Sequence, residues 1–190
     1  MARWQPGAAD RLRASALELF VAQGFEQTTA AEIAGAAGVT ERTFYRHFDD
    51  KREVLFGGQD LLRQGFVEGV ATALPDAAPL EVVAAALETA SAFFADDRRA
   101  SSRLRGAVIA ANAGLREREL LKMAALAGAL TEALRERGVP DPVATLAAES
   151  GVTVFRVAFE RWIAPDEERS FDAIQRAVLG DLTSLTRHLD

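Results

Sequence analysis

The amino-acid sequence predicts an all-α fold, and three observations carry that expectation. Alanine and leucine are abundant, apolar residues make up 49% of the 190 positions, and both residue types are good helix formers. Apolar positions recur at spacings of three and four, while strand formers seldom alternate with polar residues. Between these stripes fall helix breakers, such as Gly24, Gly38 and the run from Gly138 to Pro142. The apolar content excludes a disordered chain, and the length suffices for a small domain plus a larger one.

The first helix is expected over Ala8–Gln23, with Leu12, Ala16, Leu19 and Phe20 on one stripe. Gly24 ends it, and Phe25 folds back onto its last turn. Thr29 is a good N-cap for a second helix, and Glu32, three residues on, completes a capping box. Ile33, Ala34 and Ala37 make the small apolar face of that helix. Gly38 supplies a turn in which a Cβ would be strained by left-handed backbone. Val39 plugs the joint, and Thr40 caps a third helix whose Phe44 and Phe48 share one face. The opposite face carries Glu41, Arg42, Thr43, Arg46 and His47, with Tyr45 at its flank. Two short helices about a glycine, the second showing polar side chains outward, describe a helix-turn-helix. Phe20, Phe25, Ile33, Val39, Phe44, Phe48 and Leu55 are the expected core of a three-helix domain at residues 8–56.

Asp50 is expected to cap a fourth helix that runs unbroken from Lys51 to about Ala73, burying Val54, Leu55, Leu61, Leu62, Phe66 and Val70. Gly57-Gly58 would then lie in a helix interior, at a cost of roughly 2 kcal/mol relative to alanines. The pair either lets helices approach closely or marks a bend. Pro75 and Pro79 separate this helix from a fifth, Leu80–Ala95, with Val83, Leu87, Ala90 and Phe94 on its stripe. A sixth starts at Asp96-Asp97 and reaches about Asn112, with Gly114 as a break. The seventh is Leu115–Arg137, and the eighth, Val143–Ala164, is stopped by Pro165. A ninth begins at Glu167 or Ser170 and ends near Leu189. About nine helices thus form the domain at 8–56 and a larger one at 57–190, with no internal repeat.

The ordered set Gly24-Phe25, Thr28-Thr29, Ile33-Ala34, Ala37-Gly38-Val39 and Thr43-Phe44-Tyr45-Arg46-His47-Phe48, followed by Lys51, resembles the DNA-binding segment of the TetR family of bacterial transcriptional regulators. The resemblance covers roughly the first third of the chain; the remainder agrees in length and helical character. It implies that the third helix reads bases through Glu41, Arg42 and Thr43, with Arg42 suited to a bidentate contact with guanine. It implies backbone contacts from Tyr45 and His47, and a phosphate contact from Lys51. Thr28, Thr29 and Thr40 would offer hydroxyls or adjoining N–H groups to phosphates. Glu41 departs from what a phosphate-facing surface wants, although a carboxylate suits a helix N-terminus. Arg3 is a candidate for a basic arm in a minor groove, and Trp4 for a partly exposed aromatic.

Composition bounds the partners. The formal charge is −6 and the pI about 5.1, which argues against an indiscriminate nucleic-acid binder. Residues up to Phe56 hold seven Lys/Arg against eight Asp/Glu, so DNA binding must rest on placed cations such as Arg42, Arg46, Lys51 and Arg52. With no cysteine, a disulfide scaffold and a Cys-based zinc site are excluded. There is no membrane-length apolar run and no signal-peptide core at the N-terminus, so a cytoplasmic protein is expected. The histidines are His47, in the motif, and His188, near the C-terminus. H-E-x-x-H, G-x-S-x-G and a phosphate-binding glycine loop are all missing, so neither an enzyme nor a cofactor is expected.

Two further expectations concern the larger domain. One recognition helix covers few base pairs, whereas a two-fold dimer presents two about 34 Å apart on a palindrome. The resemblance implies a four-helix interface from the last two helices of each copy, with Val154, Ala158, Ile174, Val178, Leu182 and Leu185 as candidates. It also implies an effector cavity, for which Phe66, Phe94, Asn112, Met123, Phe155, Phe159 and Trp162 are candidate lining residues. Each aromatic taken singly reads more readily as plain core, and Asn112 reads also as a helix C-cap. Arg156 would suit an acidic group on such an effector. Arg98-Arg99 and the charged run Arg116–Glu119 read as solvated surface. The function expected is a ligand-responsive repressor, homodimeric on a palindromic operator. The alternative is a helical small-molecule-binding or scaffold protein whose helix-turn-helix no longer binds DNA, supported by the near-neutral charge of the first domain.

Overall fold

A computed structural model describes residues 7–186. Among the described residues every regular element is helical: α1 (Ala8–Gln23), α2 (Ala30–Ala36), α3 (Glu41–His47), α4 (Glu53–Phe56), α5 (Gln59–Thr72), α6 (Pro79–Ser91), a short 3-10 turn (Asp96–Arg98), α7 (Arg99–Ala110), α8 (Ala113–Glu136), α9 (Val143–Trp162) and α10 (Phe171–Thr186). The chain divides into two compact units. The first is Met1–Gly58 with Ser101–Glu119, and the second is Gln59–Ala100 with Leu120–Asp190. Arg3, Trp4 and His188 lie outside the described residues.

In the first unit, Leu12, Ala16 and Phe20 of α1 are buried against Ile33, Ala34, Phe44, Phe48, Val54, Leu55 and Phe56. Val39, expected in this core, is half-buried and packs at its margin. Three core residues arrive from far along the chain: Val108 and Ile109 of α7 and Leu115 of α8. A boundary at residue 56/57 therefore needs correcting, because Ser101–Glu119 returns to complete this core. The charged run Arg116–Glu119 is likewise not simply solvated. Arg118 pairs with Glu53 at the start of α4, and Glu119 accepts from Arg105 at 3.0 Å. Arg105 also donates through Nε to the Leu55 carbonyl at 2.6 Å and stacks over Phe56.

The expected unbroken fourth helix is two helices. Gly57 is extended at φ −61°, ψ 132°, and Gly58 sits at φ +101°, where an L-residue is strained. The chain leaves α4 at this point and restarts as α5, so Leu61 is not on the buried face but 55% exposed. Gly114, expected as a break, lies inside α8; the break falls at Ala111-Asn112.

The second unit buries apolar faces of α5, α6, α8, α9 and α10 around Phe66, Val82, Val83, Leu87, Leu130, Leu134, Phe155, Trp162, Phe171 and Ile174. Gly69 of α5 lies where a Cβ would come within 2.4 Å of the Ala86 backbone, so α5 and α6 touch main chain to main chain. Arg137 fastens the end of α5 by donating to the carbonyls of Val70, Ala73 and Leu74. Arg99 is not a solvated surface residue: its side chain is 13% exposed, lies over the Trp162 ring, and donates to the Asp96 carboxylate and to the carbonyls of Glu167 and Arg169.

Candidate nucleic-acid interface

The polar face of α3 is presented by local chemistry at both of its ends. Thr29 caps α2: Glu32 N donates to its Oγ1 at 3.2 Å, and Thr29 N donates back to Glu32 Oε2 at 2.8 Å. These bonds hold the Glu32 carboxyl below its ordinary value of 4.5, the Thr29 backbone N–H first and its hydroxyl second. At the far end of α2, Gly38 takes φ +68°, its N–H reaches Gly35 O, and Val39 N–H reaches Ala34 O. That bonding pattern is a Schellman motif, which ends α2 and turns the chain sharply. Thr40 then caps α3 by accepting from Thr43 N at 3.2 Å. Phe44 is fully buried and Phe48 nearly so, their rings 5.6 Å apart, and the helix is thereby anchored by one side.

What this leaves outward is Glu41, Arg42, Tyr45, Arg46 and His47, all exposed, with Thr43 half-buried. Tyr45 is 53% exposed although its ring meets Phe44 edge-on at 5.3 Å. Arg42 and Arg46 lie four residues apart on one face, and among the described residues neither has a hydrogen-bonding or ion-pairing partner. Arg52 differs: its guanidinium is bound to Asp50 at 2.7 and 3.0 Å.

Two of the residues assigned to phosphates are already occupied. Thr28 is 1% exposed; its hydroxyl donates to Gly24 O at 2.8 Å and accepts from Gln23 Nε2 at 3.3 Å. Lys51 donates from Nζ to three carbonyls, those of Phe25 at 2.8 Å, Thr28 at 3.1 Å and Glu26 at 3.2 Å. Both belong to the scaffold of the motif, because the loop before α2 needs internal donors for its carbonyls. Thr29 and Thr40 remain exposed, but each hydroxyl is engaged in its cap.

In the second unit the structure groups the aromatic candidates and sets two polar residues apart from them. Phe94 meets Phe155, Phe159, Trp162 and Phe171, with ring centroids 4.6 to 5.9 Å apart, and Phe66 meets Phe155 at 5.6 Å. Met123 packs half-buried against the same core. Asn112 is the correction: it belongs to the first unit, where its amide donates to Val108 O one turn back. Arg156 is a second, since it is exposed and paired with Glu160 at 2.8 Å. A polar residue that the sequence reading missed is Gln175, 3% exposed, whose Nε2 has no hydrogen-bond partner among the described residues. Its only signal was a glutamine beside Ile174 at apolar helix spacing. A separate cavity of about 260 Å³ is lined by Val67, Val70, Ala71, Ala133, Glu136 and Arg137, none of them a candidate.

The interface candidates need the same correction. Val154, Ala158, Ile174 and Val178 are core of a single copy, each at most 7% exposed, because α9 and α10 bury these faces within the second unit. Leu182 is half-buried and Leu185 is 73% exposed.

The chain is similar to known proteins in two ways. A family model described as bacterial regulatory proteins, tetR family, matches residues 12–56, which span α1 to α4. The transcriptional regulator TcmR of Streptomyces glaucescens is 39% identical over 77 residues, 40% of this chain; the match spans about a third (34%) of that relative's length. Two solved structures match along nearly the whole chain. The TetR-family regulator PfmR of Thermus thermophilus is 26% identical with a TM-score of 0.51, covering 95% of this chain and 100% of that one. The repressor FadR of the same organism, solved in complex with lauroyl-CoA, is 25% identical with a TM-score of 0.54 and 96% coverage of each chain. Among the described residues no helix is long and apolar enough to cross a membrane. The matched motif forms the helix-turn-helix, so residues 12–56 are similar to the DNA-binding segment of the tetR family of bacterial regulatory proteins, and the chain follows solved structures of that family over nearly its whole length.

Proposed function

We propose that the protein is a DNA-binding transcriptional regulator that acts as a homodimer on a palindromic operator and releases it on binding a small molecule. The observation that carries this reading is α3, a capped helix whose outward face holds Arg42 and Arg46 without partners among the described residues. A guanidinium left unpaired beside a solvent-exposed helix N-terminus is suited to guanine O6 and N7 in a major groove. Two copies related by a two-fold axis set two such helices one duplex turn apart. The contact between copies uses the outward faces of α9 and α10, to which Leu146 and Leu185 bring exposed apolar surface. The connected aromatic rings of the second unit favour a largely apolar effector, and the FadR relative is a family member solved with a fatty acyl ligand.

The test is fluorescence anisotropy with a duplex covering the region upstream of the protein's own coding sequence. Arg42→Ala is expected to lose about 1–3 kcal/mol of discrimination between operator and scrambled duplex. Discrimination unchanged by Arg42→Ala would show that α3 does not read bases. A protein that binds no duplex but does bind apolar small molecules would instead be a helical binding protein with a vestigial motif.

A further inference from the structure

We infer that Lys51 is a positioning residue, whose ammonium clasps the two ends of the helix-turn-helix together, and not a phosphate ligand. The inference rests on the DNA-binding reading above. A lysine ammonium has three donors and no more. Here they point to three carbonyls within hydrogen-bonding distance, on Phe25, Glu26 and Thr28. The same ammonium lies 4.4 Å from the centre of the Phe25 ring, and that ring packs on Phe20 of α1 at 5.1 Å. Its donors and its nearest aromatic face are therefore engaged inside the unit, and a phosphate would have to displace at least one carbonyl.

The location gives the arrangement its consequence. Lys51 follows α3 by four residues, and its acceptors immediately precede α2, 23 to 26 residues back in sequence. One side chain thus closes the circuit that contains both helices of the motif. The Thr28 hydroxyl reinforces the same loop from its other side through Gly24 O. Without the ammonium, three carbonyls lose a common donor and the loop that fixes the start of α2 can swing. α3 is carried on α2 through the Gly38 turn, so the error is passed to the face that meets DNA. Salt dependence separates this role from direct contact. A lysine that neutralises a phosphate adds about 0.9 to the slope of log K against log salt, whereas a lysine that orders the protein adds nothing.

The experiment compares wild type and Lys51→Met, which keeps the stem and removes the charge, on the upstream duplex across a series of salt concentrations. Circular dichroism first establishes that the variant is folded. The expected result is affinity reduced about tenfold or more with the salt slope unchanged, the loss set by charge-assisted hydrogen bonds. A slope reduced by about 0.9 per copy makes Lys51 a phosphate ligand and overturns the inference. So does a folded variant that binds as wild type does. If Lys51→Met does not fold, NMR of the wild-type Lys51 ammonium decides. Slowly exchanging ammonium protons in the free protein, unchanged in the DNA complex, support the clasp; rapid exchange, or a coupling to phosphorus in the complex, overturns it. Failure of wild type to bind any duplex sinks the DNA-binding reading instead, while proton exchange in the free protein still tests the clasp.

Discussion

Glu32 is fully exposed, yet it governs how α2 begins, because its carboxylate accepts from both the N–H and the hydroxyl of Thr29. These bonds favour the ionised form and hold the folded-state value below the ordinary 4.5. A depressed carboxyl value stabilises the folded state above the unfolded value, and that stabilisation is lost as pH falls through the folded value. The Thr29 amide signal is therefore expected to titrate with a midpoint below 4.5, and the first turn of α2 to fray only beneath it. A midpoint at or above the ordinary value would mean that the box is open in solution. The capping box was legible in the sequence because both partners lie within four residues. The internal bonds of Lys51 and Thr28 were not legible, for the opposite reason. Which carbonyls an ammonium meets 26 residues away is decided by folding, and a lysine after a recognition helix carries no mark of it.

At the scale of elements, apolar spacing runs across Gly57-Gly58 and so suggested one helix. Backbone conformation decides otherwise. Gly58 at φ +101° lies where an L-residue costs about 1–2 kcal/mol, so Gly58→Ala is expected to destabilise by that amount in urea denaturation. A variant as stable as the parent would mean that the helix can run through. Gly57→Ala acts differently, since its Cβ would come within 2.4 Å of Arg13 Nε. It must displace the guanidinium that lies over Phe48 and pairs with Asp10. A variant with alanine at both positions would thus disturb the packing of the first unit as well as the break itself. Leu61 shows the cost of the misread break: a restarted helix has a new phase, and the residue leaves the core.

For the whole molecule, the informative feature is that the first unit is discontinuous. Leu115 is 1% exposed, and with Val108 and Ile109 it fills a core otherwise built from the first 56 residues. Leu115→Ala is expected to cost about 2–5 kcal/mol and to weaken DNA binding, although it lies far in sequence from the motif. Thermal denaturation and anisotropy on one preparation check both; an effect on stability below about 1 kcal/mol would show that the returning segment is dispensable. The all-α class, most helix bounds and the capped turn of the motif follow from the sequence alone, because helix propensity, capping and glycine conformations are local. Which cations remain available, which faces of α9 and α10 stay outside, and which distant segment completes the first core were decided only by the tertiary structure. Each depends on what else competes for the same donor, surface or volume, and that competition exists only after residues distant in sequence have been brought together.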